Sequence, residues 1–515
     1  MRLLTLTWLM LCPLALQLQS QTPKTNTLTR PISLQESVEM ALQGNLAVEI
    51  ERLNTRIAGY NVSLAYADYD PFFSASASHR FTTTPSGLLD AQGRPIPSSR
   101  SDVDSVGAGV GGPSVGASGL LPSGLAYSLS VNASDSVFHR PFLTTNNTTV
   151  DSRTETSQGT VSLNLRQPVL KNAWVDTTRV NIKVGKNRLK YSELGLRLQV
   201  MNVVNNVAQA YYGLIFAREN IKVQQAAVDL AKRLVNENKT RVQVGTMAPL
   251  DEKQAESQAA SSQADLLQAE NDAATQENVL KGLLTGNYAT LHDTQLVPTE
   301  TLAAPIPVLN LQESWAKGMT LRPDLLQSRL ELERLNIILR YNKNQLFPEL
   351  DLIGSYSFTG AGTEFSGALG QISSGSNPGY SFGALLTFPL GNTGARAAYK
   401  VTGEQKRQAL VVSKALERDI LIQIDNAVKN VGNSFERVDA TREARIFAET
   451  ALSAEQKKLE SGKSTSFQVL QFQRDLTARR FEEIRALAQY NNALYNLYFQ
   501  EGSILERNHI KLELK

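Results

Sequence analysis

A single cysteine, Cys12, is all that the 515-residue chain offers in thiol chemistry. One thiol excludes a disulfide framework and a thiolate metal site. Aromatic residues are also scarce, at 7%, and charged residues stand at 20%. Long stretches rich in Ala, Gln, Ser and Asn bury little apolar area per residue, so a thick globular core is excluded. Such segments suit thin packing, either helix on helix or a wall one residue deep. Neither sign of charge dominates: 52 Lys and Arg face 49 Asp and Glu, and the net charge of +3 is interspersed. No nucleic-acid tract and no polybasic membrane anchor follows from that pattern. Past the first twenty residues no run approaches the ~18 apolar residues of an inner-membrane helix.

The N-terminus has what the rest lacks. Arg2 precedes an apolar run from Leu3 to about Leu18, and the chain turns polar at Gln19, Ser20 and Gln21. This order reads as a signal peptide over residues 1–20. Pro13 interrupts the run, which disfavours an anchor helix. Cys12 lies inside it behind Leu11, where a lipidation site would want a small residue. An exported chain of this kind is periplasmic, released, or placed in the outer membrane as strands.

The sequence then repeats itself. Leu34-Gln35-Glu36-Ser37 recurs as Leu311-Gln312-Glu313-Ser314, and the same offset carries Pro71 onto Pro348 and Phe81 onto Phe358. A second block follows at a slightly different offset: Pro168 answers Pro389, Gly245 answers Gly462 and Gln254 answers Gln471. Internal repetition is read before any other signal. Each copy gives a short helix, a strand region, a long helix, a glycine tip and a return helix. The first repeat spans 21–305, the second 306–507, and a tail covers 508–515. Pro71 to Pro168 is 97 residues, whereas Pro348 to Pro389 is 41. The excess is a Gly-, Ser- and Pro-rich insertion over about 84–157.

Val200, Val207, Leu214, Ile221, Val228, Val235 and Val242 fall at strict seven-residue spacing. Such a repeat is a seam packed against another helix with supercoiling. A helix from about 173 to 242 would be ~105 Å long at 1.5 Å per residue. Beside the seam runs a row of small residues, Val203, Ala210, Ala217 and Ala231, and the return helix over about 249–284 is rich in alanine. Small side chains let helices approach closely, while abundant Gln, Asn and Ser leave wet faces. A solid bundle would carry bulkier layers. Helices packed edge to edge around water are expected.

Strand patterns complete the reading. Tyr380, Phe382, Ala384, Leu386 and Phe388 share one face, with Ser381, Gly383 and Thr387 on the other. Leu350 to Thr359 alternates likewise, as do Val161, Leu163 and Leu165 against Ser162, Asn164 and Arg166. Runs of about ten residues with terminal aromatics match tilted bilayer-crossing strands. Inside the insertion, Leu125, Tyr127, Leu129 and Val131 alternate after the turn signal Leu121-Pro122-Ser123-Gly124.

These features resemble the TolC-type outer membrane efflux protein family. The resemblance is carried by Leu34, Ala41-Leu42 and Asn45-Leu46, by Arg322-Pro323-Asp324-Leu325, and by Phe347-Pro348 and Phe388-Pro389-Leu390-Gly391. The tips carry it as well, through Val244-Gly245 with Asp251, and Ser461-Gly462 with Phe467 and Leu470. It implies a mixed α and β membrane protein: a long antiparallel coiled-coil tunnel plus strands contributing to a shared trimeric β-barrel, with internal duplication. By the same resemblance each copy of a homotrimer gives four strands to a twelve-stranded barrel in outer membrane lipid. A periplasmic adaptor (membrane fusion) protein and an inner-membrane pump of RND or ABC type are the implied partners. The implied function is a passive export duct, for efflux or type I secretion, with its helical part in the periplasm.

Its entrance and docking tips would include Gly245, Asp251, Gly462, Ser464, Gln468 and Gln471. Here the sequence departs from the family pattern. Gln468 and Gln471 stand where two aspartates often form an anionic ring, and Ser464 where a gating arginine is found. A glutamine ring carries no fixed charge, so weak cation selectivity and weak block by trivalent cations are expected. Four strands per copy are expected too, with the insertion outside the membrane rather than adding a strand pair.

Other signals yield little chemistry. Gly107, Gly109 and Gly112 match a dinucleotide loop in spacing, but Pro113 follows where a helix should open. Gly462-Lys463-Ser464 resembles the end of a phosphate loop, yet Lys457 replaces the required glycine. His79, His139, His292 and His509 lack ligand spacing, so no metal and no cofactor is expected. The carboxylates of Glu331/Glu333/Arg334 and Arg479/Arg480/Glu482/Glu483 read as solvated helix faces, and no nucleophile–base pair marks an enzyme. The alternatives are a periplasmic coiled-coil adaptor or structural protein without channel activity, which would not need lipid-type strands, and a barrel adhesin, which would lack the duplicated rods.

Overall fold

A computed structural model of the chain describes residues 28–87, 89–90, 92–111, 119–144 and 148–510. The expected signal peptide with Cys12, the Gly112-Pro113 pair and residues 511–515 of the tail lie outside the described residues. In chain order the elements begin with β1 (Leu28–Ile32), α1 (Leu34–Gly44), α2 (Leu46–Tyr66), β2 (Phe72–Thr84), β3 (Ser99–Gly111) and β4 (Gly119–Leu120). Then come β5 (Ala126–Leu143), β6 (Thr149–Pro168), α3 (Thr177–Gln243), α4 (Pro249–Leu284), β7 (Thr294–Pro298) and α5 (Leu311–Leu321). The chain finishes with α6 (Pro323–Asn344), β8 (Glu349–Gly362), α7 (Phe365–Ser374), β9 (Pro378–Thr387), α8 (Thr393–Glu460), α9 (Ser466–Glu501) and α10 (Ile504–Arg507).

Helix lengths come in matching sets: α1 and α5 have 11 residues each, α4 and α9 have 36 each, and α3 and α8 have 67 and 68. The expected short opening helix is two helices in both places. Asn45 ends α1 in extended geometry, and Pro323 opens α6, where its missing N–H costs nothing. The long helix starts at Thr177 rather than 173, because Asn172 sits at φ 64°, outside helical geometry. At 1.5 Å per residue α3 is ~100 Å long.

The seven-residue seam is correct only in part. Val200, Val207, Leu214 and Val228 are buried, but Ile221, Val235 and Val242 are only half buried. Leu234 and Asn238 take over the buried line. A straight helix drifts ~20° per heptad, so a fixed repeat leaves the contact line unless the helix supercoils. On α4 the buried line is Ala255, Ser262, Leu266, Ala269, Ala273, Leu280 and Leu284, at steps of three, four and seven.

Two compact units result. The first comprises Met1–Asn45, Val207–Ala303 and Thr441–Ala488. In it β1 pairs in parallel with β7, a small sheet that no sequence pattern announced. Tyr211, fully buried on α3, donates its hydroxyl to the Ile32 carbonyl at 3.0 Å. Arg218 donates to the Leu296 carbonyl at 2.6 Å, and Glu277 accepts from the Leu296 N–H at 3.0 Å. Those bonds fix the sheet to α3 and α4.

The second unit comprises Leu46–Asn206, Ala304–Ala440 and Gln489–Lys515. In it α2 is bonded to α3, α3 to α6 and α6 to α8. Thr55 meets Ser192 at 3.3 Å, Asn187 donates to the Leu330 carbonyl at 3.1 Å, and Asn342 to Thr402 at 2.8 Å. Leu325, Ile420 and Ile424 are the buried centre of a cluster that includes Trp315 and Met319. The first and last helices of that series each have a bare face. On α2, Leu46, Ile50, Leu53, Ile57, Tyr60 and Leu64 are all exposed at alternating steps of four and three, and on α8 Val401, Val411 and Ile422 are exposed.

The main sheet corrects the expectation of four strands. It has seven, ordered β2-β3-β5-β6-β8-β9 with the two-residue β4 pairing only β5, and every neighbour is antiparallel. Within the supposed insertion, β3 and β5 are full members of the sheet. The turn signal holds: Gly124 adopts φ 86° and bonds back to the Leu121 carbonyl at 2.8 Å. Unforeseen α7 lies in the β8–β9 connection. Its Gln371 amide bonds both backbone groups of Ala361 at 2.9 and 3.1 Å, acting as a strand partner where β9 has ended.

Close packing makes one glycine decisive. A Cβ on Gly318 would stand 2.3 Å from Cδ1 of fully buried Ile424. Gly318→Ala is expected to cost about 1–3 kcal/mol by overpacking, read as a lower midpoint of thermal unfolding in detergent. Adding Ile424→Val should recover part of that loss; additive losses would refute the contact.

Candidate functional site

Two places carry chemistry. The first is the pair of helix tips in the first unit. Between α3 and α4 the chain turns at Gly245, φ 78°, and between α8 and α9 at Gly462, φ 70°. Both φ values lie in the left-handed region that glycine enters without strain. Thr246 and Lys463 then bond back to Arg241 and Lys458 carbonyls at 2.9 and 2.8 Å, so the two turns close in the same way.

One residue that the sequence reading missed joins them. Asn238, fully buried on α3, donates its amide to Ser466 Oγ at 2.6 Å and to the Asp251 carbonyl at 3.1 Å. It thereby ties α3, the opening turn of α4 and the opening of α9 together. Its position four residues after Leu234 on the buried line was a usable signal; a lone Asn among seam residues is a register device in coiled coils. Beneath it, Leu234, Leu452, Leu459, Val469, Leu470 and Leu476 form an apolar cluster.

The six sequence-selected residues do not converge on one point. Gly245 and Gly462 are the turns themselves. Asp251 lies in the first turn of α4, where its charge favours the helix N-terminus. Ser464 donates to Glu455 at 2.5 Å, closing the second tip on its own helix. Gln468 and Gln471 are exposed on α9 and their side chains face solvent within the chain.

Above the second tip a ladder of ions stitches α8 to α9. Arg480 reaches Glu449 at 2.7 Å, and Arg445 reaches Glu483 at 2.6 Å. The acidic and basic residues read as solvated thus include cross-helix partners. The Arg480 hydrogen bond, reinforced by Arg445, holds the Glu449 carboxyl below its ordinary value of 4.5. The Ser464 hydroxyl and then Lys458 do the same for Glu455. A lowered folded value means that these groups add stability above pH 4.5, and the contribution disappears as pH falls through the lowered value.

The second place is the main sheet, whose two faces differ. One face carries Phe73, Ala75 and Ala77 on β2, Leu129, Val131 and Ala133 on β5, Leu163 and Val161 on β6, and Tyr356 and Phe358 on β8; the register places them side by side. It ends in a polar row, where His79 meets Asp104 at 2.8 Å and Ser157 meets Asp135 at 2.7 Å. The opposite face is a field of small polar residues. Ser78 bonds Ser105 at 2.7 Å, Ser130 bonds Ser162 at 2.8 Å and Ser355 bonds Ser381 at 2.8 Å. At its helix-side end Arg166 holds Asp351 and Glu349 at 2.6 and 2.7 Å. Alternation of this kind separates hydrocarbon from water. Among the described residues no helix is long and apolar enough to cross a membrane, and no group of three or more His, Cys, Asp or Glu could hold a metal ion.

Long helices closing in paired turns, with a two-faced antiparallel sheet, are the parts of an outer-membrane channel. The sequence model of the outer membrane efflux protein family matches residues 115–286 and 319–503. The chain belongs to that family. It is 23% identical over 345 residues to outer membrane protein TolC of Vibrio cholerae, covering 64% of this chain and 75% of that one. With TolC of Escherichia coli it shares 24% over 315 residues, 59% of this chain and 60% of the other. Its fold is similar to the Campylobacter jejuni CmeC outer membrane channel, with a TM-score of 0.65 at 15% identity over 94% of this chain and 90% of that one. VceC of Vibrio cholerae gives 0.64 at 16% over 91% and 96%.

Two tests address the tips. Asn238→Ala should cost about 1–3 kcal/mol by leaving buried partners unpaired, and should speed amide hydrogen exchange in both turns at once; acceleration in only one would deny the link. Lowering the pH below 4.5 should reduce amide protection factors along α8 and α9, and Arg480→Gln should blunt that response.

Proposed function

We propose that three copies of this chain enclose a passive export duct through the outer membrane and periplasm, opened at the helix tips. The observation that carries this reading is the two-faced sheet, which needs lipid against one side and water against the other. The ~100 Å helices supply a rod suited to crossing a wide aqueous compartment. Matching helix lengths support two repeats, 21–305 and 306–507, after a signal peptide over 1–20 and before a tail over 508–515. The tips, with Gly245, Asp251, Gly462, Ser464, Gln468 and Gln471, form the periplasmic entrance and dock an adaptor protein that links to an inner-membrane pump. Exposure of Gln468 and Gln471 fits an entrance ring that can hydrogen-bond but holds no charge.

Purified protein should run as a trimer in mild detergent and conduct in planar bilayers; a protein that washes from membranes with urea and never conducts is an adaptor or structural protein instead. Micromolar trivalent cations should block the native channel weakly. Gln468→Asp with Gln471→Asp should increase block at least tenfold, and strong block of the unaltered channel would overturn the uncharged ring.

A further inference from the structure

We infer that the outer-membrane wall has eighteen strands, six from each of three copies, and so a bore wider than the twelve strands implied by the family resemblance. This rests on the trimeric duct proposed above. The observation is that β3 and β5 are hydrogen-bonded on both sides. β3 pairs β2 from Ser99 to Gly111, and β5 pairs β6 along its whole length, Ala126 to Leu143. Removing them from the bilayer would leave β2 and β6 with unpaired backbone in hydrocarbon, at several kcal/mol per orphaned group.

The faces also pass across the added pair without a break. Val106 and Val131 continue the apolar side, whereas Ser105 and Asn132 continue the polar side. A solvent-borne loop hairpin has no need of that continuity. Closure is geometrically permitted. The sheet's free edges are β2 and β9, and with six alternating strands β9 of one copy meets β2 of the next antiparallel. The helices next in chain to those edges, α2 leading into β2 and α8 following β9, both expose apolar residues. The fitting occupant of each edge is therefore a second copy of this chain, in head-to-tail rotation.

With strands ~4.8 Å apart and tilted ~40°, eighteen give a backbone cylinder ~36 Å across and twelve give ~24 Å. The enclosed cross-section is about twofold larger. The inward side chains are mainly Ser, Thr, Gly and Asn, which intrude little. The wall fits cargo bulkier than a twelve-strand wall would pass.

Single cysteines at Val106, Val131, Ser105 and Asn132, in a Cys12→Ser background, would be tested in trimers reconstituted into liposomes. Tyr356→Cys and Ser355→Cys on β8 serve as controls. The inference expects at least fivefold slower reaction of Val106→Cys and Val131→Cys with a membrane-impermeant maleimide than of their polar-face neighbours, and quenching of a bimane label there by brominated lipid. Equal fast labelling on both faces of β3 and β5, with the β8 contrast intact, would overturn it and leave the duct standing. Loss of the β8 contrast, or a monomer in detergent, would instead sink the duct. Projection images down the axis give a second readout: ~36 Å supports eighteen strands, and ~24 Å refutes them.

Discussion

Helices in this chain are held by narrow seams, each one or two side chains wide, and the rest of the architecture follows from how little each seam can bury. A seam of Ala, Ser and Val brings backbones close but removes modest apolar area. The chain offsets that by length: α3 and α8 each run through nearly seventy residues. It also adds polar fasteners at intervals, such as Asn238 to Ser466 and Arg445 to Glu483. Buried hydrogen bonds of this kind are costly to leave half-made, so they fix which residue faces which even where the apolar pattern would tolerate a slip.

Much of this was legible because periodicity is a direct print of geometry. The alanine-rich return helix was read at about 249–284, which is where α4 begins and ends. The tip glycines announced their left-handed turns, and Pro378 to Thr387 alternated as β9 does. The heptad line weakened at Ile221 and failed past Val228 because a seven-residue count only approximates 3.6 residues per turn. The alternation of β5 was visible from Leu125 to Val131 but was assigned to an insertion outside the membrane, and β3 was hidden for a related reason. The polar-face positions of the two strands are mainly Ser, Gly and Asn, and the Gly- and Ser-rich composition this creates is also that of a loop.

The candidate site was legible in part. Position in the repeat located both tips, but not what binds them together. Asn238 lies 13 residues before Asp251 and 228 before Ser466, a separation that no local pattern spans. Ser464 was picked out by its place in the tip, but its hydroxyl is spent on Glu455, nine residues earlier. The parallel pairing of β1 with β7 is equally remote, since 266 residues separate Leu28 from Thr294.

The ridge of Leu46, Ile50, Leu53, Ile57, Tyr60 and Leu64 has a consequence for how the protein is made. In a trimeric duct of the kind proposed, a copy that has not yet assembled carries it uncovered, next to a free strand edge that can template pairing with other chains. Its lifetime as a single copy must be short or attended by a holding factor.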